Sequence, residues 1–516
     1  MKILLIAINA KYIHSNLAVY CLKSYAAKRG IEVELTEYTI NHRRDDILMD
    51  IYQRKPDVVA FSCYIWNLEF VRDIAADLYK VLPDLEIWGG GPEVSYDAKE
   101  VLRRLPCVKG VMKGEGEKTF KEICRIYRNE FEKRENVCGY QDKNVDNSWK
   151  KSESVDNQLK GVDGITFREE KEKIIDNPWR PIMDLSEVPF VYDHMEDFEH
   201  KIIYYETSRG CPFSCSYCLS SVDKRLRFRN IELVKKELQF FLDHKVPQVK
   251  FVDRTFNCKH DHSIAIWKYI MEHDNGITNF HFEIAADILN EEEMELLEQM
   301  RPGLVQLEIG VQSTNPKTIK EIHRVMDFEK VSKIVRRIQD KGNVHEHLDL
   351  IAGLPGEDAA DMQDTLEKIE KLHPDSLTVH ALAIKRAAKF GQEGRTMDPG
   401  TEITQMVEAA AASAERMGLV PYYLYRQKNI AGNFENVGYA EKDKAGVYNI
   451  LIMEERQTII ACGAGSTTKL VLPEKIKTSS GKETNLIRVE NVKNITEYID
   501  RIDEMIERKE ALFEKD

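Results

Sequence analysis

Three cysteines stand at a spacing that suits metal chemistry. Cys211, Cys215 and Cys218 form a CxxxCxxC pattern within SRGCPFSCSYCLSS. Three thiolates on one loop can bind three irons of a cubane cluster and leave the fourth iron open to a substrate. A structural zinc site normally has four ligands in two pairs and a redox dithiol has two cysteines, so neither explains this loop well. The pattern therefore predicts a [4Fe-4S] cluster. The alternative is that the three cysteines are buried for packing and bind no metal together.

The cysteine loop lies in a region where strands and helices alternate. Six strand-like segments, each followed by an amphipathic helix, span residues 199–390: Ile202–Thr207, Gln248–Val252, Asn279–Ala285, Leu304–Gly310, His345–Ile351 and Ser376–His380. Six such units favour a partial (β/α)6 barrel. The helix predicted at Met362–Leu372 is long enough for a right-handed crossover, so we expect the sixth strand beside the fifth.

Residues 1–127 show the same alternation and predict a separate doubly wound, Rossmann-like parallel sheet. Ligands of such sheets bind at the carboxyl ends of the strands. This places the GGGPEVS turn, with Gly89, Gly90 and Gly91, and the KGEGE turn, with Gly114, around one crevice. Glycines there let a ligand approach the backbone, although tight strand-to-helix turns would also explain them.

Two further regions complete the predicted organisation. Residues 128–198 read as a polar linker with a small hairpin formed by 164–167 and 173–175. Residues 391–516 read as a mixed carboxy-terminal domain that ends in a charged helix over 495–513. We therefore predict an α/β chain with boundaries near residues 127, 198 and 390.

Composition narrows the partners. The 516 residues carry a formal net charge of −13, which repels a phosphate backbone, so nucleic acid is an improbable partner. No apolar run reaches the 18 residues that a spanning helix needs, and the opening Ile/Leu-rich run reads as a buried first strand. The 10 cysteines do not form the framework of a small secreted domain. We expect a cytoplasmic protein without a membrane partner.

The cysteine loop and the strands after it resemble the radical S-adenosylmethionine (SAM) superfamily. The loop follows a strand and carries Tyr217 before the third cysteine, and VKFVDRTFN, HFEIAAD, QLEIGVQSTN and HLDLIAGLPGE look like later strands of that barrel. The resemblance implies that SAM chelates the open iron. It also implies that an external one-electron donor, such as flavodoxin or ferredoxin, drives the cleavage of SAM. It implies SAM contacts for Glu283 at the ribose, Gln312 and Arg324 on the methionyl and ribose side, and Asp349 at the ribose hydroxyls.

A doubly wound domain before such a barrel resembles the cobalamin-binding radical SAM proteins, to about residue 355. NAKYIHS, SCYIWN, WGGGPEVS and KGEGEKTF carry this resemblance. It implies bound cobalamin, with Gly89, Gly90, Gly91 and Gly114 near the corrin or its nucleotide tail. The DxHxxG motif of an axial histidine is absent, so we expect cobalamin to be held without that ligand and His14 to be a loop or capping residue.

From about residue 356 the chain resembles oxygen-independent coproporphyrinogen III dehydrogenase, with a junction near 353–358. A polar and aromatic cluster there suits either a tetrapyrrole or domain packing: Tyr422, Tyr423, Tyr425, Arg426, Gln427 and Asn429. The leading hypothesis is a radical SAM enzyme that performs methyl transfer or rearrangement on an unidentified small molecule. The alternatives are a coproporphyrinogen dehydrogenase-like enzyme of haem biosynthesis and a non-catalytic tetrapyrrole-binding protein.

Overall fold

The structure is a computed structural model of the full chain. It describes residues 1–11, 14–138, 153–169, 173–198, 201–222, 224–385, 387–395, 401–425, 436–442, 444–445, 460–477 and 483–513. Two compact units divide the chain, Met1–Gly446 and Val447–Asp516. Within the described ranges, every helix is too short or too polar to cross a bilayer.

The first sheet has seven strands in the order β2-β1-β3-β4-β5-β6-β7, and β1 to β5 are parallel. The strands are β1 Ile3–Asn9, β2 Glu34–Thr39, β3 Val58–Ser62, β4 Glu86–Gly90, β5 Gly110–Met112, β6 Ile165–Arg168 and β7 Ile174–Asp176. The helices between and after them are α1 Leu17–Ala27, α2 Arg44–Arg54, α3 Leu68–Val81, α4 Pro92–Ser95, α5 Ala98–Arg104, α6 Glu117–Cys138 and α7 Glu153–Leu159. The strand order reverses between β1 and β3, and this is the point where ligands of doubly wound sheets bind.

The segment expected to be a polar linker contributes to this first sheet. Helix α6 begins before this segment, where Phe120, Ile123 and Tyr127 are buried at a helical spacing, and it continues into the segment to Cys138. Strands β6 and β7 pair antiparallel as the expected hairpin, and β6 also pairs with β5. The hairpin thus extends the parallel sheet at its edge.

The second sheet has eight strands in the order β16-β17-β15-β14-β13-β12-β11-β8. Its strands are β8 Ile203–Tyr205, β11 Gln248–Phe251, β12 Asn279–Ile284, β13 Val305–Gln312, β14 His345–Ala352, β15 Ser376–Ala381, β16 Val420–Tyr425 and β17 Asn436–Ala440. The first six are parallel and lie in chain order, as in a partial (β/α)6 barrel, and β15 pairs with β14 from His347↔Ser376 to Ala352↔Ala381. The predicted α/β fold class and the placement of the sixth strand are confirmed.

Helices cover the outside of this sheet, and two short strands stand apart from it. The helices are α8 Ile231–Asp243, α9 His260–Glu272, α10 Glu291–Gln299, α11 Pro316–Glu321, α12 Phe328–Lys341, α13 Ala359–Leu372, α14 Lys389–Gln392 and α15 Thr401–Arg416, and the short strands are β9 Ser208–Arg209 and β10 Arg227–Phe228. Aromatic residues fill the core, with Phe251, Phe256, Trp267 and Phe282 in mutual ring contact. Each such buried ring contributes about 1.5–3 kcal/mol of transfer free energy.

The second unit contains an antiparallel pair and two helices. β18 Thr467–Lys477 pairs with β19 Glu483–Glu490, and α16 Ile495–Asp500 is followed by α17 Ile502–Phe513. The expected single helix over 495–513 is therefore two helices. Arg501 interrupts it with a backbone at φ −115°, ψ 27°, and its side chain forms ion pairs with Glu497 and Glu504.

Candidate active site at the carboxyl ends of the barrel strands

The cysteine loop is fixed by backbone hydrogen bonds at the mouth of the barrel. Gly210, at φ 91°, turns the chain out of β9 and into the loop. The Ser216 amide donates to the carbonyl of Ile322, and the Phe390 amide donates to the carbonyl of Ser216. Cys211 and Cys215 are buried and Cys218 is half-buried, and all three are free of disulfides. The loop thus presents three thiols outside any disulfide from an anchored backbone.

The surroundings of these thiols fit a cluster-binding loop. Arg324 Nη1 lies 3.9 Å from Cys215 Sγ and donates to Tyr217 Oη at 3.2 Å. Burial raises the pKa of the Cys215 thiol, and the Arg324 guanidinium opposes that rise. Among the described residues no three His, Cys, Asp or Glu side chains converge on a single ion, and thiolates that each bind a separate iron of a cubane need no such convergence. The donor set therefore fits an iron–sulfur cluster.

A bulge in β13 brings Gln312 and Arg324 together. The pairing of β13 with β14 shifts register between Gly310 and Gln312, and Gln312 has φ 70°. A Cβ at Gly310 would lie 2.4 Å from Gln312 Nε2, so a larger residue there would displace the end of this side chain. Arg324 also donates to the carbonyl of Gly310. Gln312 Oε1 is buried without a hydrogen-bond partner within the described part of the chain, which marks it as an acceptor for a ligand.

The carboxylates of Glu283 and Asp349 lie in the same barrel interior. Lys250 Nζ lies 3.6 Å from Glu283 Oε1, and burial raises the pKa of Glu283. His347 and His380 Nε2 lie 3.4 and 3.2 Å from Asp349 Oδ1. Burial opposes the ionisation of Asp349, but these two imidazoles lower its pKa overall. The structure thus brings Tyr217, Glu283, Gln312, Arg324 and Asp349 to one end of the barrel.

The side chains that hold these carboxylates were not predicted from the sequence. Lys250, His281, Glu308, His347 and His380 all line the barrel interior. Lys250 pairs with Glu308 at 2.7 Å, and His281 Nε2 lies 3.0 Å from the same carboxylate. Strict alternation of polar and apolar residues in VKF, HFE, LEI and HLDL was the available signal, because alternate residues of a strand face the same side.

The glycines of the first sheet meet protein atoms. Gly89 and Gly90 lie within β4, where added Cβ atoms would contact Cys63 Sγ and Met112 at 3.6 Å. Gly91 has φ 116°, and its Cβ would lie 2.5 Å from the Cys63 carbonyl oxygen, so the turn itself requires glycine. A Cβ at Gly114 would contact Trp179 at 3.4 Å. Positive φ accounts for Gly91 and Gly114, and contact of the four glycines with cobalamin stays a prediction.

His14, in the loop after β1, contacts the barrel. His14 Nδ1 hydrogen-bonds to Tyr204 Oη at 2.8 Å, and the two rings stack. Burial lowers the pKa of His14. The Asn16 side chain donates to Ser62 Oγ across the β1 and β3 ends at 3.1 Å. These contacts agree with a loop role for His14, and cobalamin binding without a histidine ligand from this loop stays a prediction.

The tyrosines of β16 are in part structural. Tyr423 is buried, and its hydroxyl hydrogen-bonds to Thr378 Oγ1 at 2.6 Å. Its ring packs 4.9 Å from that of Tyr422. This arrangement favours packing over tetrapyrrole binding for these two residues. Tyr425 ends the strand, and Arg426, Gln427 and Asn429 lie outside the described residues.

Comparison with known proteins agrees with this arrangement. Residues 3–124 match the B12 binding domain family, and residues 205–369 match the Radical SAM superfamily. The oxygen-independent coproporphyrinogen-III oxidase-like protein HemZ of Bacillus subtilis is 38% identical over 44% of this chain and 45% of its own length. The uncharacterized methyltransferase PH0819 of Pyrococcus horikoshii is 24% identical over 77% of this chain and 85% of its own length.

The fold is also that of a solved radical SAM methyltransferase, TsrM from Kitasatospora setae, whose structure holds cobalamin and a [4Fe-4S] cluster. It superposes with a TM-score of 0.59 at 17% identity and covers 86% of this chain and 88% of TsrM. The chain spans about half the length of HemZ and most of PH0819. The predicted combination of a cobalamin-binding domain and a radical SAM domain, with the cofactors of those families, is confirmed.

Proposed function

We propose that this chain, which joins a B12 binding domain to a Radical SAM superfamily domain, is a cobalamin-dependent radical SAM methyltransferase acting on a small molecule. One observation carries the proposal. The thiols of the cysteine loop, the Arg324 guanidinium and the Gln312 carbonyl oxygen, which has no partner among the described residues, share the barrel mouth that faces the first sheet. TsrM, which shares the fold, is a methyltransferase that binds both cofactors.

In this proposal each side chain has a role that follows from its contacts. Cys211, Cys215 and Cys218 hold the cluster. Arg324 would donate to groups on the methionyl side of SAM, and Gln312 would accept from an N–H of its amino group, because the Gln312 oxygen has no donor among the described residues. Asp349, whose pKa is lowered by its histidine neighbours, stays ionised and accepts hydrogen bonds from ribose hydroxyls.

The two halves of the chain would then present a substrate to both cofactors. When bound, the cluster supplies an electron for reductive cleavage of SAM, and cobalamin supplies a cobalt that carries a methyl group. The protein contributes orientation and the exclusion of water. The crevice at the ends of β1 and β3 places the corrin, and the barrel mouth places SAM.

The test is anaerobic purification with separate quantification of iron, sulfide and cobalt, followed by incubation with SAM and dithionite. We expect four irons and one cobalt per chain after reconstitution, and formation of 5′-deoxyadenosine or S-adenosylhomocysteine. A chain that binds iron but no added cobalamin would contradict the methyltransferase proposal. A chain without either product would contradict the radical SAM assignment and favour a non-catalytic binding protein.

A second candidate is a coproporphyrinogen dehydrogenase-like enzyme, which the 38% identity with HemZ favours. Such an enzyme would act on propionate side chains and would need no cobalt. Decarboxylation of coproporphyrinogen III by cobalt-free protein with SAM and dithionite would support this candidate. Absence of that product from cluster-loaded protein would exclude it.

A further inference from the structure

A short segment of chain covers the second cysteine of the loop and faces solvent on its other side. Arg324 points inward, with Nη1 3.9 Å from Cys215 Sγ. The residues before and after it point outward, since His323 is exposed and Val325 is 69% exposed. A buried cluster ligand therefore lies one side chain away from the molecular surface.

Two exposed lysines reach the same loop through the serines on either side of its second cysteine. Lys224 Nζ donates to Ser214 Oγ at 2.6 Å. Ser216 Oγ hydrogen-bonds to His323 Nδ1 at 3.0 Å, and Lys389 Nζ hydrogen-bonds to His323 Nε2 at 3.4 Å. These contacts fix both ammonium groups on the outer surface of the cysteine loop.

The outer surface of the loop, which we call the loop face, combines one apolar side chain with basic ones: Lys224, His323, Val325 and Lys389. Glu393 lies 3.7 Å from Lys389 and also pairs with Arg395 at 3.2 Å, so this neighbouring carboxylate has a second cation. The chain as a whole carries a net charge of −13 and repels acidic proteins. Local positive charge steers an acidic partner toward one patch, and an apolar residue within the patch adds contact area.

We propose that the loop face docks an acidic one-electron carrier protein, which reduces the cluster held by the loop. The inference rests on the proposed function and describes its protein partner by charge and redox chemistry. In this step one electron passes from the reduced carrier to the oxidised cluster, and no bond forms or breaks. Electron-transfer partners associate weakly through interfaces below ~1,200 Å², so a small patch is sufficient. Asp349 and Gln312, the proposed SAM contacts, lie inside the barrel, so SAM and the carrier would bind on different sides of the loop.

The test is calorimetric titration of the cluster-loaded full chain with two oxidised acidic carriers, a flavodoxin and a ferredoxin. We expect at least one to bind, and its affinity should fall when the salt is raised from about 0.05 to about 0.3 M, because salt screens exposed charges. Lys224→Glu and Lys389→Glu should each weaken binding by about 3- to 10-fold, because an attractive exposed pair becomes repulsive. Val325→Asp should weaken it too, since it adds a like charge within the contact.

The control is Lys268→Glu, which reverses the charge of an exposed lysine of α9 and should leave carrier binding unchanged. Iron content and SAM cleavage with dithionite should match the wild type in every variant, because a small reductant needs no docking surface. With reduced carrier as the electron donor, cleavage at low carrier concentration should slow in the loop-face variants in proportion to their lost affinity.

Equal carrier affinity in the wild type and the three loop-face variants would overturn the inference. Failure of the wild type to bind either carrier would overturn it as well, and so would an equal loss of affinity in Lys268→Glu. Lys224 and Lys389 reach the loop through different serines, so loss of iron from one variant leaves the other to decide. Absence of dithionite-driven SAM cleavage in the wild type would instead contradict the proposed function, and the titration would still decide where the carrier docks.

Discussion

The thiol groups of Cys211, Cys215 and Cys218 are the most chemically specific atoms of the chain. Replacing any one with alanine should remove most of the cluster absorbance near ~400 nm, because each thiolate holds a separate iron. Cys258→Ala is the matched control, since this thiol interacts electrostatically with Cys211 but lies outside the loop. Retention of four irons by the triple alanine variant would show that other residues bind the metal.

Single substitutions can also distinguish residues that contact SAM from residues that bind iron. Gln312→Ala and Asp349→Ala should weaken SAM binding by about 0.5–1.5 kcal/mol, or up to ~3 kcal/mol where the hydrogen bond is charge-assisted, and should leave iron content intact. Equilibrium binding of SAM to the reconstituted protein measures this. Gln363→Ala, on the exposed face of α13, should have no effect. Unchanged SAM affinity in both site variants would remove these residues from the cofactor site.

Residue types and spacing predicted these groups only where chemistry restricts the choice. Three cysteines in eight positions have few structural explanations, whereas Lys250 and Glu308 are ordinary charged residues in a linear sequence. They become notable only in the folded sheet, where Lys250 Nζ of β11 lies 2.7 Å from Glu308 Oε2 of β13. His14 shows the same limit, because its partner Tyr204 lies 190 positions away and no local pattern could reveal that contact.

At the scale of elements, the turn from β4 into α4 is fixed by Gly91. Gly91→Ala should destabilise the protein by about 1–3 kcal/mol, because a Cβ would combine a positive φ with a 2.5 Å approach to the Cys63 carbonyl oxygen. Gly30→Ala, in the turn between α1 and β2, is the matched control, with φ 75° and no atom within 4 Å of the added Cβ. Urea denaturation gives both free energies. If the two variants are equally stable, the contact with Cys63 is relieved at no cost.

Parallel strands were predictable at this scale and antiparallel additions were not. The six barrel strands alternate along the chain with amphipathic helices. The sequence therefore shows both the residue period of each element and the order of the elements. Strands β16 and β17 join the same sheet antiparallel beside β15, through β17. The sequence PYYLY contains a proline, which in a sheet is confined to edge strands, strand starts and bulges, so local periodicity could not assign these strands to the barrel sheet.

At the scale of the whole molecule, a buried ion-pair network joins the first sheet to the cysteine loop. Arg209, which directly precedes Gly210 and Cys211, pairs with Glu115 at 2.9 Å and Glu117 at 2.6 Å, both beyond the end of β5. It also pairs with Glu206, beyond the end of β8. The two cofactor-binding regions therefore share one positioning cation, and we expect them to unfold together.

Arg209→Met should break this coupling. The variant leaves the buried Glu117 carboxylate unpaired, and removing one partner from such a network costs about 3–5 kcal/mol. Arg103→Met, which breaks an exposed pair with Glu100, should cost at most about 1 kcal/mol.

Arg209 and Arg227 hold the pKa of Glu115 below its ordinary 4.5 against the effect of burial. Because the pKa of Glu115 is lower in the folded protein, its carboxylate adds to the free energy of unfolding above pH 4.5, and this contribution disappears as the pH falls. The free energy of unfolding should therefore fall in acid for the wild type, and it should fall less for Arg209→Met. Urea unfolding, followed in parallel by cluster absorbance and far-ultraviolet circular dichroism, should give coincident transitions in wild type and separated ones in Arg209→Met. Coincident transitions in the variant, at a midpoint equal to that of Arg103→Met, would show that apolar packing alone couples the two regions.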